Sequence, residues 1–338
     1  MLNIDIKNRF YSLGDHFYSE CRPKGLTNTK LVKCNTKVAE SLGLGCEDFK
    51  SELFLQVFSG NTVLPGSRPL AQDYAGHQFG NFNAFLGDGR ALLLFDTESL
   101  DGFWEVNLKG SGQTPYSREF DGRANLNSCL HEYELSNKLD TLAIPTTHSL
   151  CVIASDEKIY AQSDEYAATI TRIAPSFIRF GTFENYFFQR DIKALRQLTE
   201  YVIRHYYPNS YDDKYLYSNF FREVVIRTAR LIAHWQAVGF THGMMNTDNQ
   251  SILGITLDFG EASFTASHDP EYISSKHDEK GRYAFGQQPV IGLWNCNVLA
   301  RALSPLIAES ELKSALEIYE TEYLNYFDIF SANSHSIS

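Results

Sequence analysis

The sequence predicts an α+β fold, with strands gathered in its first half around a single helix and helices dominating its second half. Three observations carry this reading. From about residue 75 to 109, and again over 146–173, short apolar runs alternate with turn residues, as strands require. Between them ANLNSCLHEYELSNKLDTL (124–142) changes to helical spacing. Beyond Pro175, RDIKALRQLTEYVIRHYY and NFFREVVIRTARLIAHWQAVG are long amphipathic stretches.

Residues 1–65 alternate apolar patches with loops, and SGNTVLPGSRPLA forms a turn-rich bend. GNFNAFLGDGRALLLFD places two apolar runs around Gly87-Asp88-Gly89, the composition of a hairpin turn. WEVNLKGSG reads as a further strand, Val106 and Leu108 alternating with Asn107 and Lys109. In the helix that follows, Leu126, Leu130, Leu135, Leu139 and Leu142 are expected near one face, and Asp121 in DGRA is an N-cap candidate. HSLCVIA, KIYAQ and AATITRIA return to strands. Gly239 ends the second amphipathic stretch as a C-cap would. SILGITLDFG interrupts the helices as a short hairpin turning at Gly254, and more helix is expected from about 292 to 328 before a fraying tail. The chain thus divides into an N-terminal extension (1–65), a strand-rich lobe (66–173) and a helical lobe (174–338).

The composition, 43% hydrophobic and 21% charged, is that of a globular protein, and the 338 residues suffice for domains sharing a cleft. A net charge of −11 argues against a broad nucleic-acid or anionic-membrane surface, while leaving room for a nucleotide held by a few local cations. Cys21, Cys34, Cys46, Cys129, Cys151 and Cys296 are scattered, without zinc spacing or a disulfide framework, so a reducing, cytoplasmic setting is expected. No signal segment or membrane span is expected, and a monomer is the default assembly.

Residues 240–261, FTHGMMNTDNQSILGITLDFGE, concentrate the chemistry. Magnesium-nucleotide sites use an Asn amide oxygen and an Asp carboxylate as hard ligands. Protein kinases draw these from H-R-D-x-x-x-x-N and D-F-G. His242 and Asn249 have that His-to-Asn spacing, and Asp258-Phe259-Gly260 supplies the second motif, so Asn249 and Asp258 are the candidate metal ligands. The kinase base position, two residues after the His, is Met244. Asp248 instead adjoins the metal ligand and could accept a hydroxyl proton or act as a capping acid. The pattern predicts kinase-like bilobal architecture with the base moved.

The phosphate side rests on weaker signals. GDGR (87–90) is an ordinary turn, or a loop whose backbone approaches phosphates while Arg90 adds charge. Lys109 is a candidate partner for Glu132 on the next helix, as in a kinase-type nucleotide site. Glu134 would point about 200° further round that helix. Arg172 and Arg179, in TRIAPSFIRFGTFE, either tie the halves together or aim two forked guanidiniums at an oligophosphate.

With these residues assembled, the chain resembles the SelO family of pseudokinase protein adenylyltransferases. The resemblance rests on LVKCNTKVAESLGL, SGNTVLPGSRPLAQDYAGHQFGNFNAFLGDGRA, NLKGSGQTPYSREFDGRA, LAIPTTHSL, RIAPSFIRFGTFE, WQAVGFTHGMMNTDNQSILGITLDFG and GRYAFGQQPVIGLWN, in order over roughly residues 10–306. It implies a kinase-like fold that binds ATP in a flipped orientation and passes AMP, or UMP from UTP, to Ser, Thr or Tyr hydroxyls of proteins. It further implies that Gly87, Gly89, Arg90, Lys109, Asp121, Gly122, Arg172, Arg179 and Asp258 contact nucleotide. Asn249 and Asp258 would hold Mg²⁺ or Mn²⁺, and Asp248 would be the proton acceptor.

Several positions depart from the family pattern. Glu261-Ala262 follows the DFG where proline and an aromatic are usual, and His148 stands for an arginine. The family's C-terminal redox cysteine has no counterpart beyond Cys296, and Ser274 stands near its loop partner, so that regulation is not expected. A phosphoryl-transferring kinase and a nucleotide-binding scaffold are the competing readings.

Overall fold

Short strands and turns build the beginning of the chain: β1 (Ile6–Lys7), β2 (Tyr18–Glu20), β3 (Lys30–Cys34), α1 (Thr36–Ser41), α2 (Glu52–Phe58) and β4 (Leu70–Gln72). A hairpin of β5 (Gly76–Gln78) and β6 (Asn81–Asn83) precedes the long strands β7 (Ala91–Ser99) and β8 (Gly102–Lys109). Then come β9 (Ala124–Asn125), α3 (Leu126–Thr141), β10 (His148–Lys158) and β11 (Tyr166–Ala174). The remainder is α4 (Phe180–Phe188), α5 (Ile192–Tyr206), α6 (Leu216–Val238), β12 (Phe240–Thr241), β13 (Ser263–Phe264), α7 (Gln288–Leu303) and α8 (Glu309–Ser334). This computed structural model describes residues 2–99, 102–159, 164–208 and 214–334. The chain forms two compact units, Met1–Asp73 with Phe85–Thr141 and Thr146–Phe177, and Tyr74–Ala84 with Leu142–Pro145 and Ile178–Ser338.

The first unit is built on an antiparallel sheet in the order β2-β4-β7-β8-β11-β10-β3, with β1 paired to β7 and β9 to β11. Strand β8 alternates as expected, yet both of its faces are buried from Glu105 to Lys109. Val106 and Leu108 join Val38, Phe54, Phe58 and Leu92 in one apolar cluster under α1 and α2. Each such side chain contributes about 1.5–3 kcal/mol when withdrawn from water. Cys129 and Tyr133 of α3 pack on Val152, Ala168 and Ile170 in a second cluster. Asn107 and Lys109 are buried because α3 and β11 bring them polar partners.

Three local expectations are corrected here. Gly87-Asp88-Gly89 does not turn a hairpin between its flanking runs. The first run pairs back on β5, Gly76 opposite Asn83, while β7 pairs with β8. Asp121 does not cap α3; Asn125 does, its Oδ1 accepting from Ser128 N at 2.7 Å, whereas Asp121 Oδ1 accepts from Arg123 N at 2.8 Å. The five leucines share no single face. The buried face of α3 runs through Cys129, Glu132, Leu135, Ser136 and Leu139, while Leu142 lies past the helix end and is exposed. Part of KIYAQ, residues 160–162, lies outside the described residues.

In the second unit α6 ends as expected at Gly239, whose φ of 73° suits glycine. Helix α4, with no amphipathic period to announce it, buries Phe180 through Tyr186 on all sides. The expected helix over 292–328 is two helices, separated at Pro305, which cannot extend the first. The SILGITLDFG segment forms no paired strands. Isolated bridges join Gln250 to Thr256 around Gly254, φ 68°, and Ser251 to Arg179, and Asp258 follows in irregular chain. Tyr207 donates to Ile252 O at 2.6 Å and Trp235 to Thr256 Oγ1 at 3.0 Å, so buried aromatics with polar tips fix that loop. Among the described residues no helix is long and apolar enough to cross a membrane.

Within the first unit Glu105, 1% exposed, accepts from Phe177 N at 2.8 Å and Ser176 Oγ at 3.3 Å and so anchors the end of β11. Burial pushes its carboxyl up to about 8. Between its ordinary value of 4.5 and about 8 the folded state therefore holds a proton that the unfolded state has lost. Its contribution makes stability fall as pH rises through that window. Thermal unfolding measured from pH 4.5 to 8 should show a flatter profile for Glu105→Gln than for the wild type; equal slopes would refute it.

Candidate functional site

Two clusters of predicted residues form, one in each unit. In the first, Lys109 on β8 and Arg172 on β11 converge on Glu132 of α3. Lys109 Nζ lies 2.5 Å from Glu132 Oε2, and Arg172 Nη1 lies 3.1 Å from Oε1. All three are buried, at 5%, 5% and 2% exposure. Glu134, one face over, pairs instead with Lys33 at the surface. Arg172 Nη2 also donates to Asn107 Oδ1 at 2.7 Å. Two donors there, Arg172 Nε and Asn107 Nδ2, are buried with no hydrogen-bond partner among the described residues. A buried carboxylate between two cations is worth keeping only with its partners, since unpaired charge in the interior is costly.

Gly87 and Gly89 pack against the segment 114–117. A Cβ on Gly87, at φ 86°, would lie 2.5 Å from the Tyr116 ring, and one on Gly89 2.9 Å from Tyr116 O. Glycine is required there by this packing. Arg90 is exposed beside them, its carbonyl accepting from Gly110 N at 2.7 Å. Gly122, φ 71°, is buried against Gly112, where a Cβ would fall 2.1 Å from Gly112 O, and neighbouring Asp121 is exposed.

In the second unit Asp248 sits in a 3₁₀ turn, Thr247–Asn249, and is 7% exposed. Its Oδ2 accepts from Gln78 Nε2 at 3.0 Å, while its carbonyl accepts from Arg179 Nη1 at 2.9 Å. Its Oδ1 is buried with no hydrogen-bond partner among the described residues. Burial pushes the carboxyl up to about 6, against the opposing influence of Gln78 and Arg179 and with some help from Glu184. The β5–β6 hairpin holds this turn. His77 N donates to Thr247 Oγ1 at 2.7 Å, and Phe79 N donates to Asn246 Oδ1 at 3.1 Å. Gly76 lets the hairpin close, since a Cβ there would lie 2.9 Å from Asp248 Cβ. Gln78, Thr247 and Tyr283, whose hydroxyl bonds Asn246, were not legible in the sequence; Gln78 is 170 residues from its partner.

Asn249 Nδ2 donates to Met244 O at 3.0 Å, which fixes the amide and turns its oxygen the other way. Asp258 Oδ1 accepts from Gly260 N at 2.9 Å. A carboxamide oxygen and a carboxylate are hard donors suited to Mg²⁺ or Mn²⁺. No group of three His, Cys, Asp or Glu gathers among the described residues. An Asn oxygen and an Asp carboxylate alone would leave a bound ion to keep water and phosphate ligands, as Mg²⁺ does. His242, 2% exposed, is pushed down to about 4 by burial, Asp258 opposing, and its ring centre lies 5.2 Å from that of Trp235.

A family profile described as "Protein adenylyltransferase SelO" matches residues 1–333. The chain belongs to the SelO family. It is 43% identical over 326 residues to the "Protein nucleotidyltransferase YdiU" of Aliivibrio salmonicida, covering 96% of this chain and 67% of that protein. It is 44% identical to the proteins of that name in Pectobacterium carotovorum and Herminiimonas arsenicoxydans, over 95% and 96% of this chain and 66% of each relative. The chain thus spans about two thirds of the length of these SelO-family relatives. Where the family resemblance led one to expect arginine, His148 lies 3.5 Å from Asp140 and edge-on to Trp104, and burial lowers its pKa.

Glu132→Gln should cost about 3–5 kcal/mol, because it strands two buried cations. Glu134→Gln should change stability by less than about 1 kcal/mol, being a surface pair. Urea midpoints of the two variants test this, and equal midpoints would contradict the buried cluster.

Proposed function

We propose that this chain is a metal-dependent protein nucleotidyltransferase of kinase-like bilobal fold, moving AMP from ATP, or UMP from UTP, to Ser, Thr or Tyr hydroxyls of proteins. The observation that carries the reading is Asp248, a buried carboxylate with one unpartnered oxygen directly before Asn249, where a kinase base position offers only Met244. Family membership and the name of its relatives, protein nucleotidyltransferase, support the same reaction class.

In this reading the first unit supplies phosphate-binding charge. Glu132 pairs with Lys109 and Arg172, and the spare N–H groups on Arg172 and Asn107 donate to the departing pyrophosphate's oxygens. Gly87, Gly89, Arg90, Asp121 and Gly122 contribute nucleotide contacts. In the second unit Arg179 stabilises the backbone at Asp248, and Asn249 and Asp258 hold Mg²⁺ or Mn²⁺. When bound, the ion screens phosphate charge from the approaching hydroxyl. The acceptor oxygen forms a bond to the α-phosphorus, the bond from that phosphorus to the β-phosphate oxygen breaks, and the hydroxyl proton passes to Asp248.

Incubation with α-labelled and γ-labelled ATP tests the reading: protein label from α alone is expected, and label from γ alone would make the chain a kinase. Nucleotide binding without either label would leave only a scaffold. Asp258→Ala should abolish metal-dependent nucleotide binding and transfer, and surviving transfer would refute the metal assignment. Asp248→Asn should slow transfer by about 100- to 10,000-fold while nucleotide still binds, as for loss of a general base. Because Asp248 accepts a proton only when ionised, the wild-type rate should rise with pH through about 6. Asp248→Asn should lack that limb, and a retained limb would assign the base elsewhere.

A further inference from the structure

The β5–β6 hairpin has a second face, and a cavity of about 230 Å³ opens there. That volume is below the roughly 300–1,000 Å³ of small-molecule sites and suits one side chain. His77, Phe188 and Trp294 wall it, with His77 5.5 Å from Trp294 and 6.0 Å from Phe188 by ring centres. His77 is bound through Nδ1 to Glu184, which is fully buried behind it.

Two arginines stand at this cavity, and the carboxylate behind it, Glu184, is engaged by His77. Arg301 lines it, exposed and 5.5 Å over the Phe188 ring, with no carboxylate partner among the described residues. Arg282 borders it, 4.7 Å from the Trp294 ring and against Gly80. The Nε and Nη2 of Arg282 are buried with no hydrogen-bond partner among the described residues. Two guanidiniums without carboxylate partners, in a chain of net charge −11, mark a place where an anion is recognised. The aromatic walls suit the aliphatic stem of that anion.

Position ties the cavity to the chemistry. His77 and Gln78 are consecutive in β5, so their side chains leave opposite faces: Gln78 to Asp248, His77 to the cavity. A chain segment serving both faces passes the turn at Phe79 and Gly80. The cavity and Asp248 thus flank one two-residue step of β5, so the residue that fills the cavity is close in sequence to the one that reaches Asp248.

We infer that the cavity between the β5–β6 hairpin, α4 and α7 is an acceptor-specificity subsite for a Glu or Asp side chain lying within a few residues of the modified hydroxyl. This deepens the transferase reading and rests on it only for the identity of the reaction.

The test uses a fluorescein-labelled peptide carrying one tyrosine with glutamates at two to four residues on each side, and the same peptide with lysines there. Anisotropy measures binding to the full chain, and α-labelled ATP measures transfer. The glutamate peptide should bind at least about tenfold more tightly, with the preference appearing in KM rather than kcat. Arg301→Glu should abolish or reverse the preference and Arg301→Gln should weaken it. Arg222→Glu, an exposed change of equal charge away from the cavity, should leave it intact. A wild type blind to the two peptides, or a preference unchanged in Arg301→Glu, would overturn the subsite. A binding preference lost with Arg301→Glu, but without α-label on either peptide, would uphold the subsite and reject the transferase reading.

Discussion

A carboxylate buried between a lysine and an arginine governs the first unit. Glu132 can be 2% exposed only because Lys109 and Arg172 stand within ion-pair distance, and they can be buried only because it is there. This reciprocity fixes how α3 lies on β8 and β11, since sliding the helix one turn would strand three charges. The opposite face of β8 needs no such device, because Val106 and Leu108 simply meet α1 and α2. One strand thus has an apolar face that supplies stability and a polar face that supplies charge. The spare donors on Arg172 and Asn107 are the part of that polar face that folding alone leaves unsatisfied.

The second unit solves a different problem, that of keeping an acid out of water without neutralising it by a direct ion pair. Asp248 meets an amide, Gln78, and its backbone rather than its carboxylate takes the arginine. Its proton affinity therefore rises towards neutrality, as would suit the proton acceptor proposed for it. The hairpin that provides Gln78 can approach because Gly76 and Gly181 have no side chains; a Cβ on Gly181 would lie 2.1 Å from Ala75 O. The same hairpin turns His77 to its other face, so one two-residue step links two polar environments.

Membership of the SelO family gives these two arrangements a common context. The motif residues proposed to hold the metal, Asn249 and Asp258, occur with Met244 at the kinase base position and with Asp248 immediately before Asn249. Burial lowers the pKa of His242 to about 4, and its ring packs against Trp235.

Much of the secondary structure was legible locally: Gly239 ends α6, and the β8 alternation follows from adjacent residues. Errors arose where local signals had two readings. Gly87 and Gly89 look like a hairpin turn but are small because Tyr116 packs on them, and the leucines of α3 suggest a face that its charged residue in fact centres. The sequence by itself determined the chemical inventory, a DFG with an Asp-Asn pair nearby, and the mixed α and β character, because motif spacing and periodicity are properties of neighbouring residues. Only the tertiary structure decided that Gln78 would hold Asp248 across 170 residues, that Arg172 would share Glu132, and that a cationic cavity would back onto the hairpin. Those outcomes depend on burial, which sets the cost of leaving a charge unpaired and is absent from any short stretch of chain.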